Sequence, residues 1–188
     1  MNSKVKNMVG MGLFTAIVMV LQFLGGGIRF GVFSISLVLV PIVVGAAVYG
    51  WKVGAWLGFA FGVAVLLSGD AAAFMVVDPL ATVGVVLVKG AACGLVAGLV
   101  YMLLEKINRF VAVFGAAIIC PVVNTGIFLL GCQFFFLETV EGWGKAMGYE
   151  DVASYMFLGL AGVNFLIELA VNLVLAPVIV RLIKIGKK

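Results

Sequence analysis

Few residues in this chain could do chemistry, and most of them sit where water should not be. Asn164, Glu168 and Asn172, within "NFLIELAVN", are spaced i, i+4, i+8 and stack along one face of a helix. The segments around them, "YMFLGLAGV" and "LVLAPVIV", are among the most apolar in the chain. Lys89 is a second ionisable group inside an apolar run. Ionisable residues within membrane segments are costly to bury, so Lys89 and Glu168 are candidates for function. Two readings remain open. They neutralise each other and hold two helices together, or both line a solvated cavity. Asn124, Asn164, Gln133 and Ser68 add hydrogen-bonding groups toward the same end of the chain's helices. Asn172 lies deeper and is expected to tie helices together.

Other chemistry is missing. The chain has no histidine, so Ser–His catalysis and the HExxH metal motif are excluded. No GxxxxGK[ST] loop is present, so the chain does not hydrolyse ATP by that route. Asp70 and Asp78 fall in a loop rather than forming an intramembrane pair of catalytic aspartates. Cys93, Cys120 and Cys132 lack metal-type spacing and read as small buried apolar residues. An enzyme is not expected, and nothing calls for a cofactor, a metal or nucleic acid.

The elements that position these groups follow from hydropathy. Of 188 residues, 65% are hydrophobic and 11% charged, and the mean hydropathy is +1.31. Soluble domains are nearer ~45–50% apolar and ~25% charged. The chain is therefore expected to be an all-α membrane protein forming one integral-membrane domain over residues 1–188. Continuous apolar runs argue against a β-barrel. Six spans are expected: Val5–Gly25, Leu37–Gly50, Val53–Ser68, Ala81–Leu104, Phe110–Leu137 and Tyr155–Ile185. The basic start runs into a long apolar stretch without a small-residue cleavage site, which reads as a first transmembrane helix. "YGWK" reads as a tight turn between helices two and three.

With six spans both termini share a side. Lys4, Lys6, Lys52, Lys106, Arg109, Arg181, Lys184, Lys187 and Lys188 lie there, against only Arg29 and Lys145 opposite. Asp70, Asp78, Glu138, Glu141, Glu150 and Asp151 lie on the second side. The excess of Lys and Arg puts both termini in the cytoplasm. On this count Lys89 is about 12 Å into helix four and Glu168 about 20 Å into helix six, measured from the outer ends at 1.5 Å per residue. The three outer loops are long and could lid a site.

Gly50, Gly54, Gly58 and Gly62 recur every four residues, as do Gly90, Gly94 and Gly98, and helix one carries Gly12 and Ala16. Such faces let helix backbones approach closely in lipid. Internal packing accounts for most of them, while the face on helix one could meet another subunit. Pro121 precedes "VVNTG", where a kink would place Asn124 and Thr125 beside freed backbone groups.

"ISLVLVPIVVGAAVYGWKVGAWLGFAFGVAVLL" resembles the helix-two-to-three segment of the S components of energy-coupling factor (ECF) transporters, with Trp51 where a proline is usual. Size, six helices and cytoplasmic termini fit as well. The resemblance implies a substrate-capture subunit in a prokaryotic plasma membrane. Such a subunit binds a small water-soluble vitamin from outside and works with a T component and two ATPase subunits. It also implies a pocket built from helices four to six and the loops after helices one and three. That would add Asp78 to Lys89, Asn124, Asn164, Glu168, Gln133 and Ser68 as substrate-binding residues. Gly12 and Ala16 match the family's docking motif on helix one in size, not in identity. "SGDAAAFMVVDPLATVGVVLVKG" looks most like the pantothenate-type group, in which Lys89 would meet a carboxylate. Alternatives are riboflavin, thiamine or another micronutrient, or a stand-alone ion-coupled carrier.

Overall fold

The structure is a computed structural model that describes residues 3–25, 29–30, 33–34 and 37–186. Most of the first outer loop, and the terminal Lys187 and Lys188, lie outside this set. Among the described residues the chain is almost entirely helical. Helix α1 spans Ser3–Gly25, followed by two strands of two residues each, β1 Arg29–Phe30 and β2 Phe33–Ser34, paired antiparallel. Helices α2 Leu39–Tyr49, α3 Trp51–Ser68 and α4 Ala72–Met75 come next. Then follow α5 Pro79–Glu105, α6 Arg109–Phe135, α7 Leu137–Ala146, α8 Val152–Ser154, a π-helical turn at Tyr155–Leu160, and α9 Gly162–Gly186.

Five helical segments are long and apolar enough to cross a membrane: Asn7–Gly25, Trp51–Ser68, Pro79–Glu105, Arg109–Phe135 and Val152–Lys184. The sixth, α2, has 11 residues and so rises only about 16 Å. It lies at the centre of the bundle, with Leu39, Ile42 and Val43 fully buried. The six helices are those expected from hydropathy. Two short connections reverse the chain. Gly50, at φ +95°, is the one residue between α2 and α3, and its N–H bonds to Ala46 O at 2.9 Å. That positive φ favours glycine. Asn108 caps α6 by accepting from Phe110 N–H at 2.7 Å. Glu105, an acidic residue on the side of the termini, accepts from Tyr101 Oη at 3.0 Å and pairs with Arg109 at 3.9 Å.

The glycine stripes do the expected packing, and between one pair of helices. Antiparallel α3 and α5 meet with Gly54 against Gly94 and Gly58 against Gly90, backbone to backbone. Gly98 closes on Trp51 at the other end of the contact. This holds two helices together at a separation that any side chain would prevent.

The outer side has more structure than loops. The expected helix six begins as a π-helical turn in which Ala161 N–H bonds to Met156 O at 3.1 Å. The stretch before it contains α7, which buries Val140 and Gly144 and exposes Glu138. An outward Lys145–Glu141 pair at 2.7 Å lies on the same helix. A second small core gathers here around Phe74, Phe136, Val140, Tyr155 and Leu160.

Candidate functional site

A cavity opens in the half of the bundle away from both termini. The space it encloses, open solvent at the mouth included, is about 780 Å³. All the long helices contribute, while the short α2 does not. Gln22 comes from α1, Phe61 and Val65 from α3, and Asp70, Ala71 and Phe74 from the segment after α3. Helix α5 presents Thr82, Val86 and Lys89 on one face, as spacings of four and three require. Helix α6 gives Asn124, Thr125 and Phe128, and α9 gives Asn164, Phe165 and Glu168. Pro121 lies inside α6 one turn before Asn124 and is itself buried.

Lys89 and Glu168 thus share one cavity, although counting along their helices put them at different depths. The Lys89 ammonium lies 5.4 Å from the Phe128 ring centroid and 5.9 Å from that of Phe61, both within cation–π range. Glu168 and Asp70 line the same cavity, so both ionisable groups singled out in the sequence face one space. Asn124 is buried at 5% exposure, and its Oδ1 has no hydrogen-bond partner; nor does Asn164 Oδ1. Buried amide oxygens left unpaired are costly. Both belong to residues that line this one, largely apolar cavity.

The remaining expected residues divide. Ser68 stands just behind the wall, donating to Val65 O at 3.1 Å and lying 3.4 Å from Gln22 Nε2. Gln133 is a correction: it is exposed and absent from the lining. It follows Asn124 by nine residues, which is 2.5 helical turns and so the opposite face of α6. Asp78 is another. It is exposed and caps α5, accepting from Ala81 N–H at 3.0 Å. Asn172 is buried but does not tie helices together; its Nδ2 donates to Glu168 O of its own helix at 3.0 Å. Gly12 and Ala16 lie exposed on α1, and a side chain at Gly12 would meet open space.

Three lining groups escaped the sequence reading. Gln22 and Thr82 are both 2% exposed, and Asp70 faces the cavity from the loop. Gln22 could have been noticed as the one amide beyond Asn7 in the apolar run of helix one. Above the cavity Phe74 packs edge-on against Phe136, Trp143 and Phe128, with centroids 4.9, 5.2 and 5.6 Å away. The outer segments therefore do cover one side of the cavity. The π-helical turn brings Leu160, and Ala161 just after it, to its rim, and such turns recur at functional sites.

A family model for the substrate-specific component of ECF transporters matches residues 6–180. The chain belongs to that family. No curated protein matches it. The solved structure of ThiT from Listeria monocytogenes is similar at a TM-score of 0.67 and 20% identity, covering 97% of this chain and 99% of that one. At that identity the likeness shows a shared fold. As an ECF substrate-specific component, the chain is an integral membrane transport subunit rather than an enzyme. It binds a small-molecule substrate and works with T and ATPase components.

Proposed function

We propose that the cavity captures a small water-soluble vitamin bearing a carboxylate, with pantothenate the best match, on the outer face of a prokaryotic plasma membrane. The observation that carries this reading is the Lys89 ammonium inside a largely apolar cavity. A cation in such surroundings, with spare donors, suits an anionic group. Asn124 and Asn164 would receive the hydroxyl and amide hydrogens of the same molecule through their unpaired oxygens. The subunit then docks on the T component, which carries two ATPase subunits, through the exposed Gly12 and Ala16 face of α1.

A second reading has its own support. Glu168 and Asp70 put two carboxylates beside one ammonium, and Phe61, Phe74, Phe128 and Phe165 line the same space. A cationic ring such as that of thiamine would suit this balance.

One titration series separates them. Pantothenate and thiamine are titrated against the purified wild type, Lys89→Met and Glu168→Gln. A hydrogen bond to a charged group is worth about 1.5–3 kcal/mol, so losing it weakens binding roughly 10- to 100-fold. The carboxylate reading expects that loss for pantothenate in Lys89→Met. Wild type that ignores pantothenate removes the vitamin, and unchanged affinity in Lys89→Met removes the anchor. A loss for thiamine in Glu168→Gln favours the cationic ring. Native mass spectrometry of the purified protein names any molecule that travels with it.

A further inference from the structure

Gln22 is the one deeply buried polar side chain on α1 among the described residues. Its Nε2 donates to the Asp70 carboxylate and lies 3.4 Å from Ser68 Oγ, which in turn donates to Val65 O. Both Gln22 and Asp70 line the cavity, and Asp70 begins the segment that carries Ala71 and Phe74 into its wall. One side chain therefore joins the first helix to the wall and roof of the site.

The rest of α1 is loosely held. Only 22% of its apolar span is buried, against 33–44% in the other four long spans. Its other links include the fully buried Val18, the close fit of Gly10 on the Tyr49 ring, Phe14 edge-on to Tyr49 with centroids 6.0 Å apart, Leu21 against the main core, and an exposed bond from Trp56 Nε1 to Thr15 Oγ1 at 3.1 Å. A helix held by few contacts shifts more readily than its neighbours. A hydrogen bond to a carboxylate is stronger than a neutral one, and burial strengthens it further. A shift of α1 is then passed to the Asp70 segment through Gln22. Gln22 lies six residues from Ala16 and ten from Gly12, or about 9 and 15 Å along a rigid rod.

We propose that Gln22 is a positioning residue that couples α1 to the cavity wall, so that engagement of the outer face of α1 by the T component is felt at residues 69–77. The proposal rests on the docking role given to α1 above. It needs no vitamin to be tested. Amide hydrogen exchange of residues 69–77 is measured in the full-length subunit, free and assembled with its T and ATPase components, without substrate. Wild type is expected to change exchange in this segment at least threefold on assembly. Gln22→Leu is expected to show no change. The double variant Gln22→Glu with Asp70→Asn exchanges donor and acceptor and is expected to recover the response, whereas Gln22→Glu alone is not. A silent wild type, a Gln22→Leu that responds like wild type, or a silent but folded double variant overturns the proposal. Should Gln22→Leu fail to fold, the comparison of Gln22→Glu with the double variant decides. Assembly that survives Gly12→Leu would sink the docking face instead, so the two failures are distinguishable.

Discussion

Gly58→Ala adds one methyl group and should cost the protein more than most larger changes. A Cβ at Gly58 would collide with the carbonyl oxygen of Gly90, while lying 2.8 Å from its carbonyl carbon and 3.3 Å from Ala91 Cα. Carbon atoms in comfortable contact are about 3.5–4 Å apart, so α3 and α5 must part by roughly 1 Å. The atoms struck are backbone, and no rotamer change relieves them. Overpacking costs about 1–3 kcal/mol, occasionally more. The gain in helix propensity from Gly to Ala returns about 0.5–1 kcal/mol. With the clash backbone on backbone, the overpacking cost falls at the upper end of its range, about 3 kcal/mol, and the net loss of about 2 kcal/mol lowers the melting temperature by roughly 4–8 °C in a chain of this size. Gly84→Ala is the control. It makes the same chemical change on α5, but nothing lies within 4 Å of its new methyl, so its melting temperature should be unchanged or slightly raised. The assay is the apparent melting temperature of both variants and wild type in one detergent. Because Phe61 and Lys89 sit on opposite sides of the α3–α5 contact, substrate affinity should fall along with stability in Gly58→Ala. A Gly58→Ala protein that melts with Gly84→Ala would refute the reasoning, since backbone contact would then not set the spacing.

Gly12→Leu should leave the melting temperature within a few degrees of wild type, because its side chain enters open space. It should also reduce co-purification with the T component at least tenfold; intact assembly would place docking elsewhere. Asp151 accepts from the Ser154 hydroxyl at 2.6 Å and the Ser154 N–H at 2.7 Å, and these bonds hold its carboxyl below the usual carboxylate range. A lowered folded pKa means that the cap stabilises at neutral pH and is lost as pH falls through that value. Exchange of the Ser154 amide, corrected for intrinsic rate, should therefore be faster in Asp151→Ala than in wild type at neutral pH, and the two should converge in acid. A difference that persists in acid would show that the charge is not what caps α8.

Much of this protein was legible in one dimension. Hydropathy is a sum along the chain, so the six helices, their order and the gathering of Lys and Arg on one side needed no contacts to be read. Lys89 and Glu168 stood out because an ionisable group in an apolar run is conspicuous wherever it points. Depth along a helix was readable only coarsely, since counting set Lys89 and Glu168 apart and the packing brings both onto one cavity. Counting also misjudged direction and local role. Gln133 has the right height but points away, and Asp78 spends its carboxylate on a helix cap. Asn172 bonds to its own backbone. Gln22 and Asp70 looked unrelated until α1 was set beside α3. In a soluble helix the apolar stripe announces which face turns inward. Here the spans are apolar almost all round, because one face meets lipid and the other meets protein. Which face is which is decided by where backbones can touch. The contacts of Gly54 with Gly94 and Gly58 with Gly90 lock α3 against α5, and that contact lies below the space where Phe61 and Lys89 face each other. The sequence determined what the bundle is made of and how its helices run through the membrane. Only the packing decided which of its few polar side chains share a cavity.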